Sequence, residues 1–218
     1  MSKYIAGIVS YIFHPLFIVS YVLLLIMMIN PYLFSIQDPR GKGIIIIFTI
    51  ALTIFFPIVS ILMMRGLALI KSIHMEDKYD RIGPLIATIV FYLWLFLNLK
   101  DNPGIPKAFS FFLLGTVITL FICFFLNIFQ KVSLHAAGVG GLLVGIVLIG
   151  QNYGYEFIAL NIGDSGFRIH LLALYMVIIL ICGLTMTSRL MVGAHSKDEL
   201  YGGFFIGSVS QLIAYVIL

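Results

Sequence analysis

Residues 169–218 read "IHLLALYMVIILICGLTMTSRLMVGAHSKDELYGGFFIGSVSQLIAYVIL". Two apolar runs, 169–187 and 200–218, flank a short polar break that holds Arg189, His195, Asp198 and Glu199. A membrane-crossing helix needs roughly 20 apolar residues, so each run can span a bilayer. A lone strand in lipid would leave its backbone groups unpaired, so both runs read as helices. The stretch is therefore helix, polar turn, helix, with an unusual load of ionisable chemistry at the turn.

The pattern repeats upstream. Apolar runs at 5–29, 44–64, 85–99, 108–129 and 134–150 bring the expectation to about seven spans. The chain has 218 residues, 61% of them hydrophobic and 10% charged; soluble domains carry about 25% charged residues. The fold class is all-α, a polytopic transmembrane bundle of about six to seven spans in a single domain, 1–218. The first run is too long, and too poor in small cleavage-site residues, for a removable signal peptide. Pro15 and Pro57 are expected to kink the first and second spans. Gly138, Gly140, Gly141 and Gly145 mark a fifth span built for close helix contact. The glycine faces of the fifth and seventh spans can pack within one chain or between chains of a homo-oligomer. No ten-residue alternation points to a barrel.

Alternating spans sort the loops onto two faces. The first face receives the N-terminus and loops 65–84, 130–133 and 188–199. The second receives 30–43, 100–107, 151–168 and the C-terminus. The first face holds Lys3, Arg65, Lys71, Lys78, Arg81, Lys131, Arg189 and Lys197; the second holds Arg40, Lys42, Lys100, Lys107 and Arg168. A plain count of Lys and Arg turns the first face to the cytoplasm; setting aside Lys78, Arg81 and Arg189 as ligand-binding leaves a tie. The net charge of +4 sits at span ends, where it suits headgroups and membrane lipids, not a nucleic-acid partner. Cys123 and Cys182 fall inside apolar runs and are expected to be buried free thiols.

Three polar clusters fall on the first face: "MEDKYDRIGP" (75–84), "KVSLHAAG" (131–138) and the break at 188–199. His74, His135 and His195 lie among them; His14 and His170 do not join. Arg offers a planar fork of donors, Lys a point charge and Ser a hydroxyl, a set suited to phosphate oxygens. The fifth and seventh helices both start on this face and can aim their N-terminal amides at one anion. His195 precedes Glu199 by four residues, so both can share a helix face. A carboxylate on one ring nitrogen fixes the tautomer and frees the other as a nucleophile or base. His135 is placed to give a leaving group its proton. Taken singly, each group has a plainer reading. Arg189 alone is a snorkelling anchor, Lys78 and Arg81 a flank of positive charge, Asp77 and Asp80 solvated loop charges, and "GGFFIG" close helix packing.

Together these residues resemble the type 2 phosphatidic acid phosphatase superfamily, membrane lipid phosphatases with the ordered signatures K-x6-R-P, P-S-G-H and S-R-x5-H-x3-D. Ser188 and Arg189, then five residues, His195, and Glu199 in place of Asp match the third. Ser133 and His135 keep the spacing of the second, with Val132 for Pro and Leu134 for Gly. In the first, Arg81 is followed by Ile82 and Gly83 before Pro84, and His74 stands where the family has Lys; Lys78 or Lys71 can supply that charge. The resemblance implies His195 as nucleophile, Glu199 as its orienter and His135 as general acid. It implies that Arg189, Ser133, Arg81, Lys78 and Ser188 hold the phosphate of a lipid substrate, with no metal and no cofactor. It also implies a site at the outer face of a bacterial inner membrane. Glu199 in place of Asp lengthens the orienting arm by one methylene, and misplacement on the scale of 1 Å can cost about 10²-fold in rate.

Other readings use the same residues. Glu76, Asp77 and Asp80 could hold Mg²⁺ on a diphosphate, as in an intramembrane prenyltransferase. The cationic cluster could bind or move a lipid phosphate without chemistry. His74, His135 and His195 could hold haem or a metal, although no H-x3-H or C-x2-C spacing supports it.

Overall fold

The computed structural model describes residues 2–36, 38–73, 75, 77–162 and 165–218. His74 and Glu76, named above, lie outside them. The helices are α1 (Lys3–Ile12), α2 (Pro15–Ile29), α3 (Pro39–Ile50), α4 (Phe56–Gly66), α5 (Ile82–Leu99), α6 (Lys107–Phe129), α7 (Leu134–Tyr153), α8 (Leu171–Met191) and α9 (Lys197–Ile217). Among the described residues six segments are long and apolar enough to cross a membrane: Pro39–Gly66, Tyr79–Leu99, Lys107–Phe129, Leu134–Tyr153, Leu171–Met191 and Lys197–Ile217. The pair α1–α2 makes a seventh if taken as one span. The chain is an all-α integral membrane bundle.

Pro15 does more than kink the first run. The chain bends by 56° between α1 and α2. A residue before proline is pushed out of the helical region, and His14 is extended at φ −67°, ψ 139° while Pro15 opens a new helix. The second span carries a wider π-turn over Ala51–Phe55 just ahead of Pro57. Pro57 has no N–H to give the carbonyl four residues back; the Tyr92 hydroxyl lies 3.3 Å from that carbonyl, on Thr53.

The second-face loop holds an element that its length alone did not announce. Phe157–Ile162 (β1) pairs antiparallel with Ser165–His170 (β2), Phe157 opposite His170. The signal was present, because "FIALNI" and "SGFRIH" flank a Gly-Asp turn sequence. The eighth helix accordingly begins at Leu171, with His170 as its N-cap.

Glycine sets the tightest contact. A Cβ at Gly207 would overlap the carbonyl of Ala137, one at Gly140 the carbonyl of Phe204, and one at Gly203 would stand 2.5 Å from the Ser133 carbonyl. The α7 and α9 backbones therefore touch within one chain, and Gly203 and Gly207 of "GGFFIG" serve packing.

Hydrogen bonds tie each face together. On the first face, Asn127 donates to the Lys78 carbonyl at 2.8 Å, Lys131 to the Ala194 carbonyl at 3.1 Å, and the Ser133 amide to the Glu199 carbonyl at 3.2 Å. On the second, Asn30 donates to the Tyr153 carbonyl at 2.9 Å and Ser35 to the Pro103 carbonyl at 3.0 Å. The loop sorting made from span alternation matches these ties.

Candidate functional site

The break between α8 and α9 is built from local signals. Gly193, at φ +75°, takes the left-handed conformation that ends a helix cheaply only for glycine. The amides of Gly193 and Ala194 then close on the carbonyls of Leu190 and Arg189. Ser196 caps α9, its Oγ accepting from the Glu199 amide at 3.3 Å. Ser-x-x-Glu is a capping-box pattern in which the Glu side chain usually turns back to the cap amide. Here the Glu199 carboxylate goes to His195 instead, with Oε2 2.6 Å from Nδ1.

That contact fixes the imidazole. A carboxylate only accepts, so Nδ1 carries the hydrogen and Nε2 keeps its lone pair. The His195 side chain is 3% exposed and that of Glu199 26%. Burial, reinforced by the charges of Arg81 and Arg189, lowers the His195 pKa to about 4 against the opposing pull of Glu199. At neutral pH the ring is uncharged, the state a nucleophilic imidazole needs. The longer Glu arm reaches Nδ1 within hydrogen-bond distance.

His195, His135, Arg81 and Arg189 line one cavity of about 440 Å³ that opens at the first face and runs down into the bundle. Arg189 stands in the last turn of α8, and its Nε is buried with no partner. Arg81 is partly engaged: Nε donates to the Met75 carbonyl at 2.9 Å and Nη1 to the Val132 carbonyl at 3.2 Å. It stitches two first-face loops together while its charge faces the cavity. Neither arginine has a carboxylate within ion-pairing distance among the described residues. The Glu199 charge acts on Arg81 at longer range, whereas none offsets Arg189; a partly buried guanidinium without a counter-charge is costly until an anion arrives.

His135 Nε2 lies 3.1 Å from the Ser10 carbonyl. That carbonyl is free because the α1–α2 break diverts the His14 amide to Tyr11. Nε2 must donate, which leaves Nδ1 of His135 for other chemistry.

The remaining expected phosphate ligands do not line the cavity. Ser133 is the N-cap of α7, fully buried, and its Oγ accepts from the Ala136 amide at 3.4 Å. This cap places His135 in the first turn of the helix. The Ser188 hydroxyl donates to the Leu184 carbonyl at 2.6 Å. Lys78 donates to the Ile128 carbonyl at 3.0 Å, near the end of α6, and Lys71 pairs with Asp77 at 3.4 Å. Each is engaged by the scaffold, Ser133 and Ser188 within a turn of their own helices, Lys78 across to the end of α6 and Lys71 by Asp77.

One cavity residue was not anticipated. His14 lines the cavity, and its ring meets that of His135 edge-on with centroids 5.1 Å apart. Its Nδ1 accepts from the Leu16 amide at 3.3 Å, so its hydrogen sits on Nε2. The signal was His-Pro inside an apolar run: proline restarts a helix, and the preceding His becomes its cap. His170, by contrast, stays on the second face, 3.3 Å from Glu156. Among the described residues no three His, Cys, Asp or Glu side chains converge closely enough to hold a metal ion.

No protein-family model, curated protein or solved structure matches the chain.

Proposed function

We propose that the protein is a membrane-embedded phosphatase that removes phosphate from a lipid phosphate or polyprenyl diphosphate through a phosphohistidine, as a divergent relative of the type 2 phosphatidic acid phosphatases. The observation that carries this reading is the 2.6 Å His195–Glu199 contact beside two arginines that line the same cavity.

The side chains present can meet each demand of the reaction. Arg189, with its unpartnered Nε, and Arg81 hold the phosphate oxygens and offset charge in the transition state. Nε2 of His195 attacks phosphorus as the bond to the leaving oxygen breaks. Phosphorylation makes the imidazole cationic, and Glu199 stabilises that charge through Nδ1–H. A proton held on His135 Nδ1, favoured by the arriving anion, passes to the leaving oxygen. Water then attacks phosphorus, gives its proton back to His135 and releases phosphate from His195. His14 Nε2–H supplies a further donor to the bound anion. On the resemblance, the site belongs at the outer face of a bacterial inner membrane.

Phosphate release from a panel of lipid phosphates, in detergent with excess EDTA, tests the reading. Wild type should turn over, a base-stable and acid-labile phosphoenzyme should be trapped at early times, and His195→Ala should abolish both. Turnover retained in His195→Ala removes the nucleophile. Binding without release from any substrate selects the non-catalytic reading.

A further inference from the structure

Below its charged mouth the cavity changes character. Along α5 it runs from Arg81 to Tyr92, eleven residues, or about 16 Å at 1.5 Å per residue. That reaches roughly the midplane of a hydrocarbon layer about 30 Å thick. The walls below the mouth are apolar (Leu85, Ile18, Leu120, Phe112) apart from Thr88, Thr116, Thr119, Tyr92 and Gln211.

Those polar residues are turned away from the space they line. Thr88 donates to the Pro84 carbonyl at 2.7 Å, Thr116 to Phe112 at 2.9 Å and Thr119 to Gly115 at 2.7 Å. Each hydroxyl is spent on its own helix four residues back. The Tyr92 hydroxyl lies 3.3 Å from the Thr53 carbonyl, and Gln211 Nε2 donates to Phe112 at 3.3 Å while its Oε1 is buried without a partner. Gly138 and Gly141 in α7 also line the shaft; a Cβ at Gly138 would meet Ile18 and Pro15 of α2, and one at Gly141 would meet Gln211 and the Gly207 carbonyl of α9. The result is a greasy shaft beneath a cationic rim.

We propose that this shaft is the binding site for the hydrocarbon chain of the substrate, and that the substrate is a single-chain amphiphile: an isoprenoid or monoacyl phosphate whose tail lies inside the protein. The inference rests on the phosphatase reading for the headgroup and goes beyond it for the tail. A volume of about 440 Å³ lies in the lower half of the ~300–1,000 Å³ range of sites that hold one small ligand. It accommodates one chain and not the two of a glycerophospholipid. The tail then anchors the molecule along the shaft, and its phosphate is held at the level of Arg81, Arg189 and His195.

Chain-length dependence tests this directly. Binding of linear alkyl phosphates from butyl to octyl, each below its micellar concentration, is measured by calorimetry on the purified protein. Each methylene buried should strengthen binding about fourfold, the equivalent of ~0.8 kcal/mol. Thr116→Phe on α6, or Thr88→Phe on α5 if the first variant melts early, should flatten that dependence and leave butyl phosphate binding unchanged. A short two-chain phosphatidic acid should bind more weakly than octyl phosphate. Equal affinity at every chain length, a dependence unaltered in both variants, or preference for two chains overturns the proposal. Chain-dependent binding with no phosphate release refutes the phosphatase reading alone. Phosphate release without chain dependence refutes the shaft alone.

Discussion

Replacing Glu199 with Gln removes one charge and little volume at the point where the proposed chemistry is most exposed to geometry. In the wild type Glu199 Oε2 is 2.6 Å from His195 Nδ1, and Glu199 does not line the main cavity. Its loss should therefore leave substrate binding intact and act on the chemical step. A hydrogen bond to a charged group contributes about 1.5–3 kcal/mol net. At 1.36 kcal/mol per factor of ten, that alone slows turnover roughly 10- to 100-fold. The amide can also donate to Nδ1 and stabilise the wrong tautomer, an effect that reaches ~10⁴ in an Asp-His pair. The expected loss in kcat is thus about 10²–10⁴, with KM changed little. Glu199→Asp tests distance instead of charge. One methylene less withdraws the carboxylate by about 1.5 Å, past hydrogen-bond range. The assay is steady-state phosphate release in detergent with EDTA, with melting temperature as the check on folding. A folded Glu199→Gln protein with wild-type kcat would falsify the orienting role, and with it the His195 mechanism.

Because burial holds the His195 pKa down to about 4, protonation of this nucleophile should cut kcat/KM only below about pH 5. Glu199→Gln, which removes an upward influence on that pKa, should move the His195 limb to lower pH, while the substrate's own phosphate ionisation at about pH 6 is common to both proteins; a His195 limb that does not move refutes the assignment. His14→Ala should weaken kcat/KM about 10- to 100-fold, as for one lost hydrogen bond to an anion, and an unchanged value leaves His14 as a helix cap alone. Arg189→Lys should lower phosphate affinity measurably by calorimetry, since the planar fork is lost while the charge stays. Gly193→Ala should destabilise by about 1–2 kcal/mol, because φ +75° is strained for an L side chain. Gly202→Ala, in a helix with open space around the added Cβ, should stabilise by up to about 1 kcal/mol; paired thermal melts read the contrast.

Much of the architecture could be read in one dimension because a bilayer imposes a one-dimensional rule. Apolar length decides spanning, and alternation decides which loops share a face. The His195–Glu199 pair was also legible, since both residues lie within one helical turn of the Ser196 cap. Ser133, Ser188 and Lys78 show the limit of spacing. Ser133 and Ser188 match a ligand in type and position and Lys78 in type alone, yet Ser133 Oγ accepts from the Ala136 amide while Ser188 and Lys78 donate to scaffold carbonyls.

What the sequence determined by itself is the spanning helical bundle, the two sets of loops, and the local turn that presents His195 to Glu199, all consequences of contacts a few residues apart. What only the tertiary structure decided is which distant groups share the cavity. The 56° break at His14–Pro15 frees the Ser10 carbonyl for His135 and swings a further imidazole against it. The apolar shaft is lined from α2, α4, α5, α6, α7 and α9, and its threonine hydroxyls fold back onto their own helices. Neither feature is encoded in any short stretch, because each arises from how surfaces far apart in the chain pack against one another.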